Sequence, residues 1–200
     1  MAGLRQFWVD TETTGLSARR NFAFQIAYLI EEDGEIAAAR TLEMRPDCLE
    51  EFEISEGARR VHGRSRDEIL AMPPESAQYR LLLDDLEKYQ SRSGEKLTVT
   101  GYNAAFDIGF IKALFSRVHP EGLKAYYAYF SGLPCDVLQF AQGLRAAGLL
   151  EAPKLTLDAL CGVLGIAREG PHDAAVDVAH TRAAFYKLLE LAGRGRGVFR

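Results

Sequence analysis

Three short segments hold residue types that could do chemistry together. In FWVDTETTG, Phe7 to Gly15, the acids Asp10 and Glu12 stand two apart where an apolar run ends. Residues two apart on a strand point to one face, so a strand here delivers both carboxylates to one point in space. A lone D-x-E is more often a pair of ordinary surface acids. The Thr13, Thr14 and Gly15 that follow shift that balance, adding hydroxyls and a backbone able to approach a ligand closely. Asp107, in GYNAAFD, falls near the start of a helical pattern, where the helix dipole alone already favours an acid. PHDAAVDVAH puts His172 on a loop and Asp177 inside the last helix, beside Ala174, Ala175, Val178 and Ala179, small enough to let that helix pack closely on a sheet. Carboxylates gathered at one point form an all-oxygen site suited to Mg²⁺ or Mn²⁺ rather than zinc. Without metal they repel one another and some of their pKa values rise. An imidazole with an unperturbed pKa of roughly 6.5 is suited to taking a proton from water.

The elements that must position these residues follow from periodicity. Arg5 to Asp10 reads as a buried strand that stops at the polar TETTG stretch. Phe22 to Glu31 is a second strand, and Asp33-Gly34 offers a hairpin turn into a third over Glu35 to Arg45. Helices are expected over Ser55 to Val61, Ser65 to Ala71 and Glu75 to Gln90, with Ser65 and Glu68 in a capping-box pattern. Leu97 to Tyr102 is a β-branched strand leading into a helix with Phe106, Phe110, Ile111, Leu114 and Val118 at helical spacing. A short strand near Leu133 to Cys135 follows. Helices from Asp136 to Ala147, Thr156 to Leu164 and about Asp173 to Leu191 complete the chain, and the GRGRG tail reads as a frayed end. Hairpin strands followed by strand–helix units predict an α/β fold, a mixed sheet flanked by helices.

DTETTG, NAAFD and HDAAVD resemble the three motifs of the DEDD superfamily of 3′→5′ exonucleases, which implies an RNase H-like fold with three antiparallel and two parallel strands in a five-stranded sheet. The histidine five residues before the last aspartate marks the DEDDh branch. VHGRSRDEI is similar to the V-H-G-I-T segment of that family and LTLDALCGVLGI to its L-D-A-L-C segment, so the resemblance runs from Phe7 to about Leu189. It implies hydrolysis of phosphodiester bonds at single-stranded DNA or RNA 3′ ends, DNA favoured, with two divalent ions held by Asp10, Glu12, Asp107 and Asp177. Asp10 would bridge both ions and His172 would act as general base. Thr13 would meet the terminal 3′-hydroxyl, Leu16 would wedge against the last base, and His62 and Asn103 would line the same groove. Phe22, Phe24 and Phe106 could stack bases, though core packing is the commoner role for such residues. Gln25 stands where many relatives carry an acid, and Asp158 is expected to be structural. His119 and His180 read as surface or helix residues. An RNA-trimming enzyme is the alternative within the same chemistry, and a proofreading subunit whose main role is docking on a polymerase is the alternative from a different class.

The chain has 200 residues, 48% hydrophobic, which suits one domain spanning 1–200 with an ordered core over about 5–191. Lys+Arg 24 against Asp+Glu 28 gives a net charge of −4, which argues against a broad basic nucleic-acid grip but not against a carboxylate site balanced by bound cations. No uncharged stretch approaches the roughly 20 residues of a membrane span, and MAGLRQFWVD lacks a signal-peptide pattern, so a cytoplasmic protein with no membrane association is expected. Cys48, Cys135 and Cys161 form no C-x-x-C pair and read as buried thiols rather than a disulfide or zinc framework.

Overall fold

Phe7, Trp8 and Val9 are apolar in succession because their strand is covered on both faces. In the computed structural model, which describes residues 5–48, 52–167 and 173–194, they lie in β1 (Arg5–Thr13) at the centre of a five-stranded sheet. β1 pairs antiparallel with β2 (Ala23–Glu32), which pairs antiparallel with β3 (Glu35–Glu43). On its other side β1 runs parallel to β4 (Thr98–Gly101), and β4 parallel to the two-residue β5 (Cys135–Asp136). The order β3-β2-β1-β4-β5 is the mixed sheet expected from the sequence, in an RNase H-like fold. The β2–β3 turn has positive φ at both Asp33 (54°) and Gly34 (92°), the conformation that matches strand twist in a two-residue hairpin.

One boundary differs from expectation in a way that matters. β1 does not stop at the TETTG stretch but continues to Thr13, because β2 goes on pairing with it: Asp10 opposite Ala27, Thr11 opposite Ile26 and Glu12 opposite Gln25. Polar composition marks a turn only where no partner strand takes up the backbone groups. Asp10 and Glu12 are therefore true strand residues.

The helices cover both faces. After α1 (Glu56–His62) and α2 (Arg66–Leu70), α3 (Glu75–Ser93) and α4 (Ala104–Val118) pack with Phe7 and Val9 in one core, which includes Tyr79, Leu82, Leu86, Phe110, Leu114 and Phe115. α5 (Leu123–Tyr129) lies on the same side and adds Tyr126. Trp8 points the other way, into a core with α6 (Val137–Ala146), α7 (Leu157–Val163) and α8 (Ala174–Arg194). Ala174 and Val178 are both buried, the close packing their size predicted. The expected capping box at Ser65 and Glu68 is present.

Partly buried ion pairs fix the helices to the sheet. Arg40 forks onto Asp85 at 2.8 and 3.1 Å, and Tyr28 donates to the same carboxylate at 2.7 Å, tying α3 to β2 and β3. Glu31 is fully buried on β2 and accepts from Trp8 Nε1 and Arg182 Nε, each at 2.6 Å, and from the Tyr186 hydroxyl. That network clamps α8 to the sheet. The thiols depart from expectation: Cys161 is buried, Cys135 is half-buried and Cys48 is exposed beside the exposed Asp47. No described helix is long and apolar enough to cross a membrane.

Candidate active site

Parallel pairing of β1 and β4 brings both strands to the same end of the sheet, and the acids collect there. Gly101 ends β4 against β1: a Cβ on it would lie 3.0 Å from the carbonyl oxygen of Val9, a tight contact that the glycine avoids. Asn103 then takes a left-handed conformation, φ 63°, which turns the chain into α4 and sets Asp107 in its first turn. Asp136 Oδ1 stabilises this turn, accepting from Asn103 N at 3.1 Å and capping α6 through Leu138 N at 3.0 Å.

Side-chain alternation along β1 sorts the acids by face. Trp8, Asp10 and Glu12 share the α8 side, whereas Phe7, Val9 and Thr11 face α4. Thr11 Oγ1 donates to Asp107 Oδ1 at 2.7 Å. Asp107, at 3% exposure, thus approaches the end of β1 from the α4 side. Asp177 approaches from α8 and, with Asp173, presses its charge on Glu12.

The start of α8 is anchored twice. Asp173 Oδ1 accepts from Ala175 N and Val176 N at 2.9 and 3.3 Å, and Gln25 Oε1 accepts from Ala174 N at 3.3 Å. Gln25 also donates to Glu43 Oε1 at 3.3 Å and is the register partner of Glu12. The residue that departs from the family pattern is a strut between the sheet and the helix bearing Asp177. An amide can serve as acceptor and donor at once here, which a carboxylate cannot.

These placements disfavour the charged form of Glu12 and of Asp107. Burial pushes Glu12 up from 4.5 to about 7, with Asp177 and Asp173 adding repulsion. Burial also raises Asp107, against the lowering effect of the bond from Thr11, and Asp136 adds to the rise. Among the described residues no three His, Cys, Asp or Glu groups stand close enough to hold a metal ion as placed. The acids flank β1 rather than forming a finished cage. Their chemistry nonetheless fits hard divalent cations, because carboxylates whose charged form is disfavoured by burial and like charge are stabilised by positive charge between them.

The remaining expected residues divide. His172 lies outside the described residues. Leu16 is 88% exposed at the loop after β1. Thr13 is buried and its hydroxyl donates to Gly15 O at 2.9 Å, so its side chain serves the loop. His62 is half-buried, its ring edge-on to Phe24 at 4.6 Å and its Nδ1 accepting from Arg64 N, while its Nε2 is buried without a partner among the described residues. Asn103 is exposed, and Phe106 is half-buried against Phe110 at 5.0 Å. Phe22 and Phe24 are buried core residues, the commoner role for such side chains. His119 caps α4 and His180 lies on α8 with Nε2 3.1 Å from Ala167 O. Asp158 sits in the first turn of α7, whose cap is Thr156. Sequence reasoning missed Asp136 and Asp173 as contributors; each stands just ahead of a helical apolar run, which is the signal of an N-cap.

A family model described as an exonuclease, that of the RNase T group, matches residues 7–185. No curated protein matches the sequence. Among solved structures, the chain is similar to E. coli exonuclease I in its zinc-bound complex with single-stranded DNA, with a TM-score of 0.74 and 20% identity over 94% of this chain and 40% of that one. It is similar to the same enzyme in complex with a dT13 oligonucleotide, at a TM-score of 0.71 and 20% identity over 98% and 42% of the two chains. It is also similar to a moderately thermophilic exonuclease I from Methylocaldum szegediense, at 0.65 and 21% over 94% and 40%. The chain thus spans about two fifths of the length of these relatives.

Proposed function

Because the chain belongs to the DEDD-type 3′→5′ exonuclease family, we propose that it hydrolyses single-stranded nucleic acid from the 3′ end, DNA in preference to RNA, releasing nucleoside 5′-monophosphates. The observation that carries this reading is the crowding of Glu12 by Asp177 and Asp173 at the end of β1, with Asp107 arriving from the other face on Thr11. No packing need accounts for acids brought to one strand end from two helices. The preference for DNA is supported by the oligonucleotides bound to the similar exonuclease I structures.

In this reading Asp10, Glu12, Asp107 and Asp177 hold the cations, Mg²⁺ or Mn²⁺. Divalent ions held there would stabilise the charge on the attacking and leaving oxygens of an in-line displacement. The chain's own residues do the rest. Thr11 keeps Asp107 turned toward the site, and Gln25 and Asp173 hold the first turn of α8 in place. His172, two residues before that turn in sequence, takes the proton from the attacking water. Leu16 and Asn103, both exposed, and the half-buried His62 meet the terminal nucleotide.

The test is to incubate the protein with 3′-labelled and 5′-labelled single strands, DNA and RNA in parallel, with and without Mg²⁺. Metal-dependent release of mononucleotides from the 3′ end, lost in Asp10→Ala and Asp177→Ala variants that still fold, is the expected result. Full activity in either variant would overturn the assignment, and faster loss of RNA would reverse the substrate preference.

A further inference from the structure

Three side chains form a row across the sheet end. Glu12, Gln25 and Glu43 are register partners on β1, β2 and β3, and residues opposite one another on adjacent strands share a face. The row therefore alternates acid, amide, acid. Its middle member is 8% exposed and uses both ends of its amide: Gln25 Oε1 accepts from Ala174 N at 3.3 Å, and Nε2 donates to Glu43 Oε1 at 3.3 Å. A cation closes the outer end, Arg64 Nη2 donating to the same Glu43 oxygen at 3.2 Å.

Arg64 is itself held on two sides. His62 Nδ1 accepts from its backbone N at 2.9 Å, and its guanidinium stands 4.0 Å from Glu68 Oε1. The other oxygen of Glu68 accepts from Ser65 N at 2.7 Å in the capping box. A continuous line of contacts thus runs from the start of α2, through the ends of β3 and β2, to the first residue of α8. Gln25 and Arg64, the latter at the fourth position of the segment similar to V-H-G-I-T, both differ from the family pattern, and one carboxylate oxygen joins them.

The direction of the Gln25 amide matters to α8. The first N–H groups of a helix have no partner within it. Asp173 serves those of Ala175 and Val176 from the same segment, whereas that of Ala174, a fully buried residue, is served from the sheet by Gln25. An amide turned the other way would set its NH₂ against that N–H, donor against donor. An ionised carboxylate has no donor to offer, so Glu43 favours the orientation with the Gln25 oxygen toward α8. Ala174 and Asp177 are three apart and share one side of the helix, so fixing the first fixes where the second stands.

We propose that Glu43 and Arg64 are positioning residues for the reaction: Arg64 holds Glu43, Glu43 orients the Gln25 amide, and Gln25 sets the first turn of α8 and with it Asp177. The proposal rests on the exonuclease reading for its effect on rate. The side chains of Arg64 and Glu43 are 41% and 42% exposed, and a pair so exposed adds little stability by itself. Its consequence is geometric.

The experiment measures hydrogen exchange of the Ala174 to Asp177 amides in the metal-free protein, with the melting of every variant checked against the parent. Glu43→Ala is expected to speed exchange about fivefold, the equivalent of one net hydrogen bond. Arg64→Ala should speed it about threefold, as loss of an exposed pair allows. Arg64→Lys, which keeps the charge and a donor, should restore most of the protection, and Glu43→Gln, which keeps an oxygen for Gln25, should fall between the parent and Glu43→Ala. In a Gln25→Ala background Glu43→Ala should add nothing, because the relay is already cut. With Mg²⁺ and a single strand, Glu43→Ala should lower kcat about fivefold and change KM less than about twofold. Three results would each overturn the proposal: unchanged exchange in Glu43→Ala, effects that multiply in the double variant, or a raised KM at unchanged kcat, which would put Glu43 and Arg64 in contact with the strand. Exchange is read without metal or substrate, so failure of the exonuclease reading is separately visible, as absence of metal-dependent digestion of single strands by the parent protein.

Discussion

Thr11 and Asp107 are separated by 96 positions in the chain and joined by a 2.7 Å hydrogen bond in the fold. The bond spans from the end of β1 to the first turn of α4 and holds a nearly fully buried carboxylate at the sheet end. Because the hydroxyl donates, it favours the charged carboxylate and opposes the rise that burial imposes on Asp107. Thr11→Val removes the donor while keeping the shape. The expected outcome is a higher Asp107 pKa, a rate profile whose acid limb moves to higher pH, and Mg²⁺ affinity at neutral pH weaker by about tenfold, the equivalent of one pKa unit. Thr11→Ser should restore both. An unchanged profile in the valine variant would show that Thr11 is only a packing residue.

The raised pKa of Glu12 makes the stability of the metal-free protein depend on pH in an unusual direction. Its folded value of about 7 exceeds its ordinary 4.5, so between those values the folded state binds more protons than the unfolded state. The contribution is then fully present below about 4.5 and is lost as pH rises toward about 7. Thermal melts in EDTA should show Tm falling across that window, and Glu12→Gln should flatten the fall. Added Mg²⁺ should raise Tm more at pH 8 than at pH 5.5, because cations compete with the same protons. A metal-free Tm that rises steadily from pH 5 to 7, equally in parent and variant, would contradict the assigned environment of Glu12.

Glu31 shows the opposite sign. Burial pushes its carboxyl up, but the donors Arg182, Tyr186 and Trp8 outweigh it and hold the group below its ordinary value. Its contribution is present above about 4.5 and is lost as pH falls through the lowered value. Arg182→Ala leaves a fully buried charge without its cation and should destabilise the fold by about 3–5 kcal/mol, seen as a lower urea midpoint at unchanged m-value. Tyr186→Phe removes one neutral donor and should cost about 1–3 kcal/mol. A loss in Arg182→Ala no larger than in Tyr186→Phe would show that solvent reaches the carboxylate.

How far the sequence foretold this arrangement depends on the range of the interaction. Asp10 and Glu12 were legible because alternation in one strand is a local rule, and Asp177 because small residues around it announced a helix packed on a sheet. The hairpin at Asp33-Gly34 and the cap at Ser65 were legible for the same reason. The Thr11–Asp107 bond was not, since nothing local to either residue names a partner so distant. α5 escaped notice because only Ala125 and Tyr126 of its seven residues are buried, too few to draw a helical stripe, and its tyrosines favour strands. Gln25 stood out from the family pattern, but its use became visible only with Ala174 N and Glu43 placed on either side of it.

That double engagement of Gln25 gives the last prediction. Gln25→Ala leaves Ala174 N–H buried without its acceptor and should destabilise the protein by about 1–3 kcal/mol. The loss should be concentrated where the strut acts, so hydrogen exchange should accelerate in the first turn of α8 and remain unchanged in α3, which β2 and β3 hold through Asp85. Gln25→Glu keeps an acceptor for Ala174 but loses the donor to Glu43 and sets a new carboxylate opposite Glu12 in register. Repulsion should then raise the Glu12 pKa further and steepen the fall of metal-free stability toward neutral pH. Magnesium should recover more stability in Gln25→Glu than in Gln25→Ala, because only the former adds negative charge beside the cation-binding acids. Equal recovery in the two variants would mean that Gln25 acts on the helix alone and is electrostatically remote from Glu12.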